Sequence, residues 1–161
     1  MTAASDPVPF RARLKVRFGD IDHAGIVYYP RFLHYFHVAL EEFFTAIVGV
    51  EYHTVINDHR LGLPSVHLEI DFRSPLRFGD EIDVEVRGLE MGATSVSWRY
   101  VVWKQQGAPG SLAEGAQDRA LAAEATIVTV ALDMDRFEKR PLPDWLRASF
   151  EGYRARLAAV R

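Results

Sequence analysis

Alternation of period two opens the patterned part of the chain. In "RARLKVRF" (11–18) basic and apolar residues take turns, as they do along a half-exposed strand. The period then changes. Over "PRFLHYFHVALEEFFTAIVG" (30–49) a helical wheel gathers Phe32, Phe36, Ala39, Leu40, Phe43 and Ile47 on one face and sets His34, Glu41 and Thr45 on the opposite one. Pro30 suits the first helical turn, where its missing N–H is not needed, and Gly49 suits the stop. A weakly patterned link (50–62) leaves room for one short helix. Alternation returns in four long runs rich in Val, Ile and aromatics: 63–76, 80–91, 94–105 and 122–134. Short turns such as "RFGD" and "MGA" join the first three, which predicts antiparallel neighbours. The Gly/Ala/Ser-rich stretch 106–120 is expected to be a mobile hairpin loop. Residues 143–160 read as a closing amphipathic helix, and 1–9 as a loose leader. No internal repeat is found.

This order of elements, with one aromatic helix among five strands, implies an α+β domain in two layers over residues 1–161. Its 161 residues suit one domain and one core. The formal net charge of −3, without any basic run, gives no pull toward nucleic acid, although a few local cations would suffice for a small anion. The absence of cysteine excludes disulfides, thiolate catalysis and Cys-ligated metal. No segment approaches a membrane span, and the N-terminus has no apolar core of signal-peptide length, so a cytoplasmic protein is expected.

The chemistry concentrates in "RFGDIDHAGIVYYPRF" (17–32), which places two acids, a histidine and a glycine just ahead of the helix. On residue type alone, Asp20 and Asp22 are turn caps as readily as catalysts, and Asp20 is read as a structural hydrogen-bonder. His34, His37 and Glu41 stand at i, i+3 and i+7, a spacing open to a metal but equally that of a polar helix face, so no metal is expected. Arg73, Arg77 and Arg99 are candidates for pairing with an anion, with surface solubility as the ordinary reading.

"GDIDHAGIVYYPRF" resembles the N-terminal signature of hotdog-fold acyl-CoA thioesterases of the 4-hydroxybenzoyl-CoA thioesterase type. Their pattern is a strand ending in Gly-Asp-x-Asp, then x-Ala-Gly-Ile-Val, two aromatics and a proline. "SPLRFGDEIDVEV" resembles the family's second common piece, and the element order fits along almost the whole chain. The resemblance implies a hotdog fold, a five-stranded antiparallel sheet wrapped around a long central helix. It implies edge-to-edge homodimers with a continuous sheet, often paired into dimers of dimers, with active sites between subunits. The implied reaction hydrolyses an acyl-CoA substrate, aromatic and 4-hydroxybenzoyl-like, to a carboxylic acid and free CoA, without metal or cofactor.

Under that resemblance Asp22 is the catalytic carboxylate, attacking the thioester to give a mixed anhydride or acting as general base on water. Backbone N–H groups at the helix start would face the developing oxyanion, each donor worth roughly 3–4 kcal/mol. The matching donor is the Tyr29 N–H, and Gly25 allows the sharp turn beside the substrate. His37 occupies the helix position where hydroxybenzoyl-specific members carry an Asp, a departure that leaves it to meet a polar acyl group. Phe32 is the expected aromatic wall. His23, at a variable position, is the other histidine near the substrate. The turn "EMGATS" (90–95) lacks the basic cluster of a close relative, which leaves Thr94 and Ser95 to bond the pantetheine or phosphate. Two rivals share the fold: a non-catalytic acyl-CoA-binding module, and a dehydratase or hydratase, for which His23 beside Asp22 would supply the proton-transfer pair.

Overall fold

The computed structural model describes residues 8–106 and 119–160. Strand β1 (Phe10–Lys15) follows the alternation of 11–18: Phe10 and Ala12 turn into the core, Arg11 and Arg13 out of it. Helix α1 (Arg31–Phe43) continues through a π-helical turn, Phe44–Val48, to Gly49, whose φ of 78° ends it. The buried face of α1 is the one its wheel predicts, with Tyr35 added. Phe36 packs on Tyr100 at 5.2 Å between ring centroids, and Phe43 on both Trp98 and Phe10 at 5.6 Å. Burying each such ring contributes about 1.5–3 kcal/mol, which anchors the helix across the sheet.

The remaining elements are α2 (Tyr52–Asn57), β2 (Leu61–Gly62), β3 (Ser65–Phe72), β4 (Glu81–Met91), β5 (Ser95–Gln105), β6 (Arg119–Val130), β7 (Leu132–Asp133), β8 (Glu138–Lys139) and α3 (Asp144–Ala159). Five strands make one antiparallel sheet in the order β1-β4-β5-β6-β3, and β2, β7 and β8 make a small second one. The expected loop 106–120 falls largely on 107–118, outside the described residues, as do positions 1–7 of the expected leader. No helix among the described residues is long and apolar enough to cross a membrane.

Three expectations need correction. The run 63–76 is not a neighbour of 80–91: β3 pairs with β6, Phe72 opposite Ala123, at the far edge of the sheet. The "RFGD" turn serves β1 instead, since Gly79 N–H donates to Val16 O and Val16 N–H to Asp80 O. The run 122–134 breaks at Ala131, whose N–H reaches Thr94 O at 2.7 Å, and Leu132–Asp133 then joins the small sheet. A short repeat does exist, VRFGD at 16–20 and LRFGD at 76–80.

Two features of the sheet matter later. β3 has one free edge and is almost wholly exposed, leaving Val66, Leu68 and Phe72 in solvent. The sheet face away from α1 carries buried acids. Asp83 is fully buried, with both oxygens bonded by Arg13 at 2.8 and 3.1 Å. Glu85 accepts from Arg119 (2.8 Å), Arg87 (2.6 Å) and Trp103 Nε1 (3.0 Å). Burial pushes the Glu85 carboxyl up, but these hydrogen bonds outweigh it and hold the group below its ordinary range.

Candidate active site

The segment between β1 and α1 is a loop closed on itself and then pinned to the core. A 3-10 turn, Phe18–Asp20, leads to an isolated bridge between Ile21 and Val27. Inside that bridge Asp22 N–H donates to Ile26 O (3.1 Å) and Gly25 N–H to Asp22 O (3.0 Å). Gly25 has a φ of 77°, a left-handed conformation that glycine adopts without steric cost. Val27 is buried and its N–H reaches Leu76 O at 2.8 Å, which fixes the loop to the connection between β3 and β4.

Asp22 is exposed at the tip of this loop. One carboxylate oxygen, Oδ1, accepts the Ala24 N–H at 2.8 Å, and no hydrogen bond from the described residues reaches the second. Asp20 does a different job. It is 8 % exposed; its Oδ2 accepts the Arg17 N–H (2.9 Å) and the Tyr35 hydroxyl (2.8 Å), and its carbonyl accepts the Tyr28 N–H (2.8 Å). Its main chain thus closes the loop on Tyr28, and its side chain ties the loop to α1. Burial, then the hydrogen bond to Asp20, raises the Tyr35 hydroxyl well above its ordinary range, so it remains the donor.

The helix start differs from the expectation of several open N–H groups. Arg31, Phe32 and Leu33 N–H donate three residues back, to the carbonyls of Tyr28, Tyr29 and Pro30. The Tyr29 N–H just ahead has no such acceptor among the described residues, so the open donor belongs to the loop.

The other candidates scatter. His23 is exposed in the same turn as Asp22. His37 is half-exposed two turns along α1, with Nε2 3.4 Å from Glu41 and its ring edge-on to Tyr52 at 5.6 Å. Burial, then the nearby Glu41, pushes the Tyr52 hydroxyl up to about 12. Phe32 is not an open wall but part of the core, 4 % exposed and packed on Tyr35 and Phe72. Thr94 and Ser95 lie at the opposite end of the sheet from the Asp22 loop, roughly 30 Å along β4 at the rise of a strand. One subunit therefore does not bring them to Asp22. His34 lines a hollow of about 360 Å3 with Arg13, Arg17 and Asp20, so the helical spacing brings His37 to Glu41 but does not add His34 to them. A second hollow, of about 440 Å3, lies beside Glu41, Glu51 and Tyr52. Neither hollow includes Asp22.

A long helix packed across a five-stranded antiparallel sheet is also the architecture of a known group of proteins. Residues 16–150 fit the model of the thioesterase-like superfamily. The chain belongs to the thioesterase-like superfamily. Its fold is that superfamily's hotdog fold, as the motif at 19–32 implies. A 1,4-dihydroxy-2-naphthoyl-CoA hydrolase of Synechococcus elongatus is 28% identical over 137 residues, 82% of this chain and 90% of that one. A protein of the same description from Rippkaea orientalis is 30% identical over 138 residues, 83% and 92% of the two chains. A solved 1,4-dihydroxy-2-naphthoyl-CoA thioesterase from Synechocystis superposes with a TM-score of 0.70 at 27% identity, covering 88% of this chain and 94% of that one. A gentisyl-coenzyme A thioesterase gives 0.70 at 25%, covering 85% and 98%. These superfamily members are named for aromatic acyl groups other than 4-hydroxybenzoyl.

Proposed function

We propose that this protein is an acyl-CoA thioesterase that hydrolyses an aromatic acyl-CoA to the carboxylic acid and free CoA. Asp22 supplies the carboxylate, by attack on the carbonyl carbon or by drawing a proton from water. The Tyr29 N–H stabilises the oxyanion, the carbon–sulfur bond breaks, and the thiolate leaves to take up a proton; on the attack route water then cleaves the Asp22 mixed anhydride, which releases the acid and restores the carboxylate. The observation that carries this reading is the locked loop: a carboxylate oriented by the Ala24 N–H and an open Tyr29 N–H on one rigid segment. His37 is the helix group for a polar substituent on the acyl ring, in keeping with relatives named for dihydroxynaphthoyl and gentisyl groups.

The site is completed by a second copy of the chain. The exposed apolar residues and free edge of β3 suit antiparallel pairing with the same strand of a partner, which would continue the sheet. A partner there would also shield the reacting carbonyl from bulk water, which one subunit leaves open at Asp22.

The experiment is a thiol-release assay over benzoyl-, 4-hydroxybenzoyl-, gentisyl- and 1,4-dihydroxy-2-naphthoyl-CoA, for wild type and Asp22→Asn. The variant is expected to lose roughly 10²–10⁴ in kcat on the best substrate. Full activity in Asp22→Asn refutes the assignment. Tight binding of these esters by wild type without turnover would leave only the acyl-CoA-binding module.

A further inference from the structure

The short repeat is also a structural one. In each copy the leading apolar residue is buried, Val16 and Leu76. In each the aspartate N–H donates to the arginine carbonyl, at 3.0 Å from Asp20 to Arg17 and 3.1 Å from Asp80 to Arg77. In each the aspartate carboxylate accepts the arginine N–H, at 2.9 and 2.7 Å. The two turns sit side by side, tied by Val16 N–H to Asp80 O (2.9 Å) and Gly79 N–H to Val16 O (3.1 Å). What they present together is an edge-to-face pair of rings, Phe18 and Phe78, 5.9 Å apart and 82 % and 63 % exposed.

Two phenylalanines held together in water on hydrogen-bonded turns are an unusual use of apolar surface, since burial in the core would stabilise each of them. Their flanking charges are equally open. Arg17 and Arg77 are exposed, and neither guanidinium has a carboxylate partner among the described residues, whereas Arg13, Arg73, Arg87 and Arg119 are spent on acids of the sheet. The nearest carboxylates, Asp20 and Asp80, face their own turns, and each has a further cation beside it, Arg31 at 3.8 Å and Lys104 at 3.0 Å. Such a surface fits a ligand that combines a flat π-system with several negative charges. Phe18 is four residues from Asp22, at most about 14 Å along the chain, well within the reach of a pantetheine arm.

We propose that the paired RFGD turns dock the nucleotide end of CoA, with Phe18 and Phe78 against the adenine and Arg17 and Arg77 on its phosphates. The proposal rests on the acyl-CoA reading above. It does not draw on Thr94 and Ser95 of the same subunit, which lie at the other end of the sheet.

The second turn is the one to vary, because the first leads straight into Asp20 and Asp22. CoA and dephospho-CoA are titrated calorimetrically into wild type and Arg77→Gln/Phe78→Leu, whose melting confirms the fold. The Kd for CoA should rise roughly five- to tenfold in the variant, and the Kd for dephospho-CoA by less. Wild-type affinity for CoA should weaken with salt more steeply than the variant's. In kinetics, kcat/KM for an aromatic acyl-CoA should fall several-fold further than for the matching S-acyl-N-acetylcysteamine, which has no nucleotide. Equal CoA affinity in the two proteins, no CoA binding by wild type, or equal loss on both esters overturns the docking site. A wild type that hydrolyses neither ester refutes the thioesterase reading instead, and the CoA titration still decides the docking site.

Discussion

Replacing Tyr35 by Phe isolates the bond that ties the Asp22 loop to the helix. The ring stays, so no cavity opens and the packing on Phe32 is kept. What goes is one O–H donor to Asp20 Oδ2, between residues 3 % and 8 % exposed, and that oxygen keeps only the Arg17 N–H. A hydrogen bond to a charged acceptor contributes about 1.5–3 kcal/mol, and the loss should sit near the upper end because water cannot readily replace the hydroxyl. In a chain of this size that lowers Tm by roughly 6–12 °C. Urea unfolding followed by circular dichroism gives the free energy, and the thioesterase assay gives kcat. The loosened loop should lower kcat while KM changes little, because the hydroxyl touches no substrate. A Tyr35→Phe protein within about 0.5 kcal/mol of wild type and with unchanged kcat would show that the loop is held by its backbone bonds alone.

Other outcomes follow from the same geometry. Gly25→Ala meets no atom within 4 Å of its new Cβ, so its cost is the left-handed backbone, about 1–2 kcal/mol, measured by melting together with a fall in kcat. Glu85 has a folded pKa below its ordinary value of 4.5, so its contribution is present above that value and is lost as pH falls through the folded one. Stability measured in urea should therefore fall more steeply with acid below about pH 4.5 in wild type than in Glu85→Gln. On the proposed β3 pairing, wild type should run as a dimer in size-exclusion chromatography with light scattering, and Leu68→Arg, which places a charge on that strand, should run as a monomer with loss of activity. A dimer that keeps its size would show that β3 is not the contact.

The long helix and the strands were legible because each is a long run with one period. Their neighbours were not. The "RFGD" turn looks like a hairpin between the runs it separates, yet β3 finds its partner in β6, some fifty residues on, and local turn chemistry carries no trace of that. Asp22, Gly25 and Tyr29 enter the proposed site through the motif at 19–32 and not through residue type, since an Asp before a helix is ordinary. Asp20 was read as structural, but its partner Tyr35 was missed: it falls at the margin of the helical wheel, where an aromatic counts as packing. The buried acids were missed for a related reason. Asp83 and Glu85 read as the outward half of an alternating strand, and the arginines as solvated. The register places Arg13 opposite Asp83 and Arg11 opposite Glu85, and a pattern read one strand at a time cannot see across the sheet.

Because Arg31, Phe32 and Leu33 close their own N–H groups locally, the open amide at Tyr29 belongs to the connecting segment and not to the helix. On the proposed mechanism, bond-breaking and acyl choice reside in separable parts: residues 22–29 for the one, outward helix positions such as His37 for the other. Descendants of this scaffold can exchange the second set for a new acid while inheriting the first intact, and a designer retuning substrate range should mutate the helix and leave the connecting segment alone.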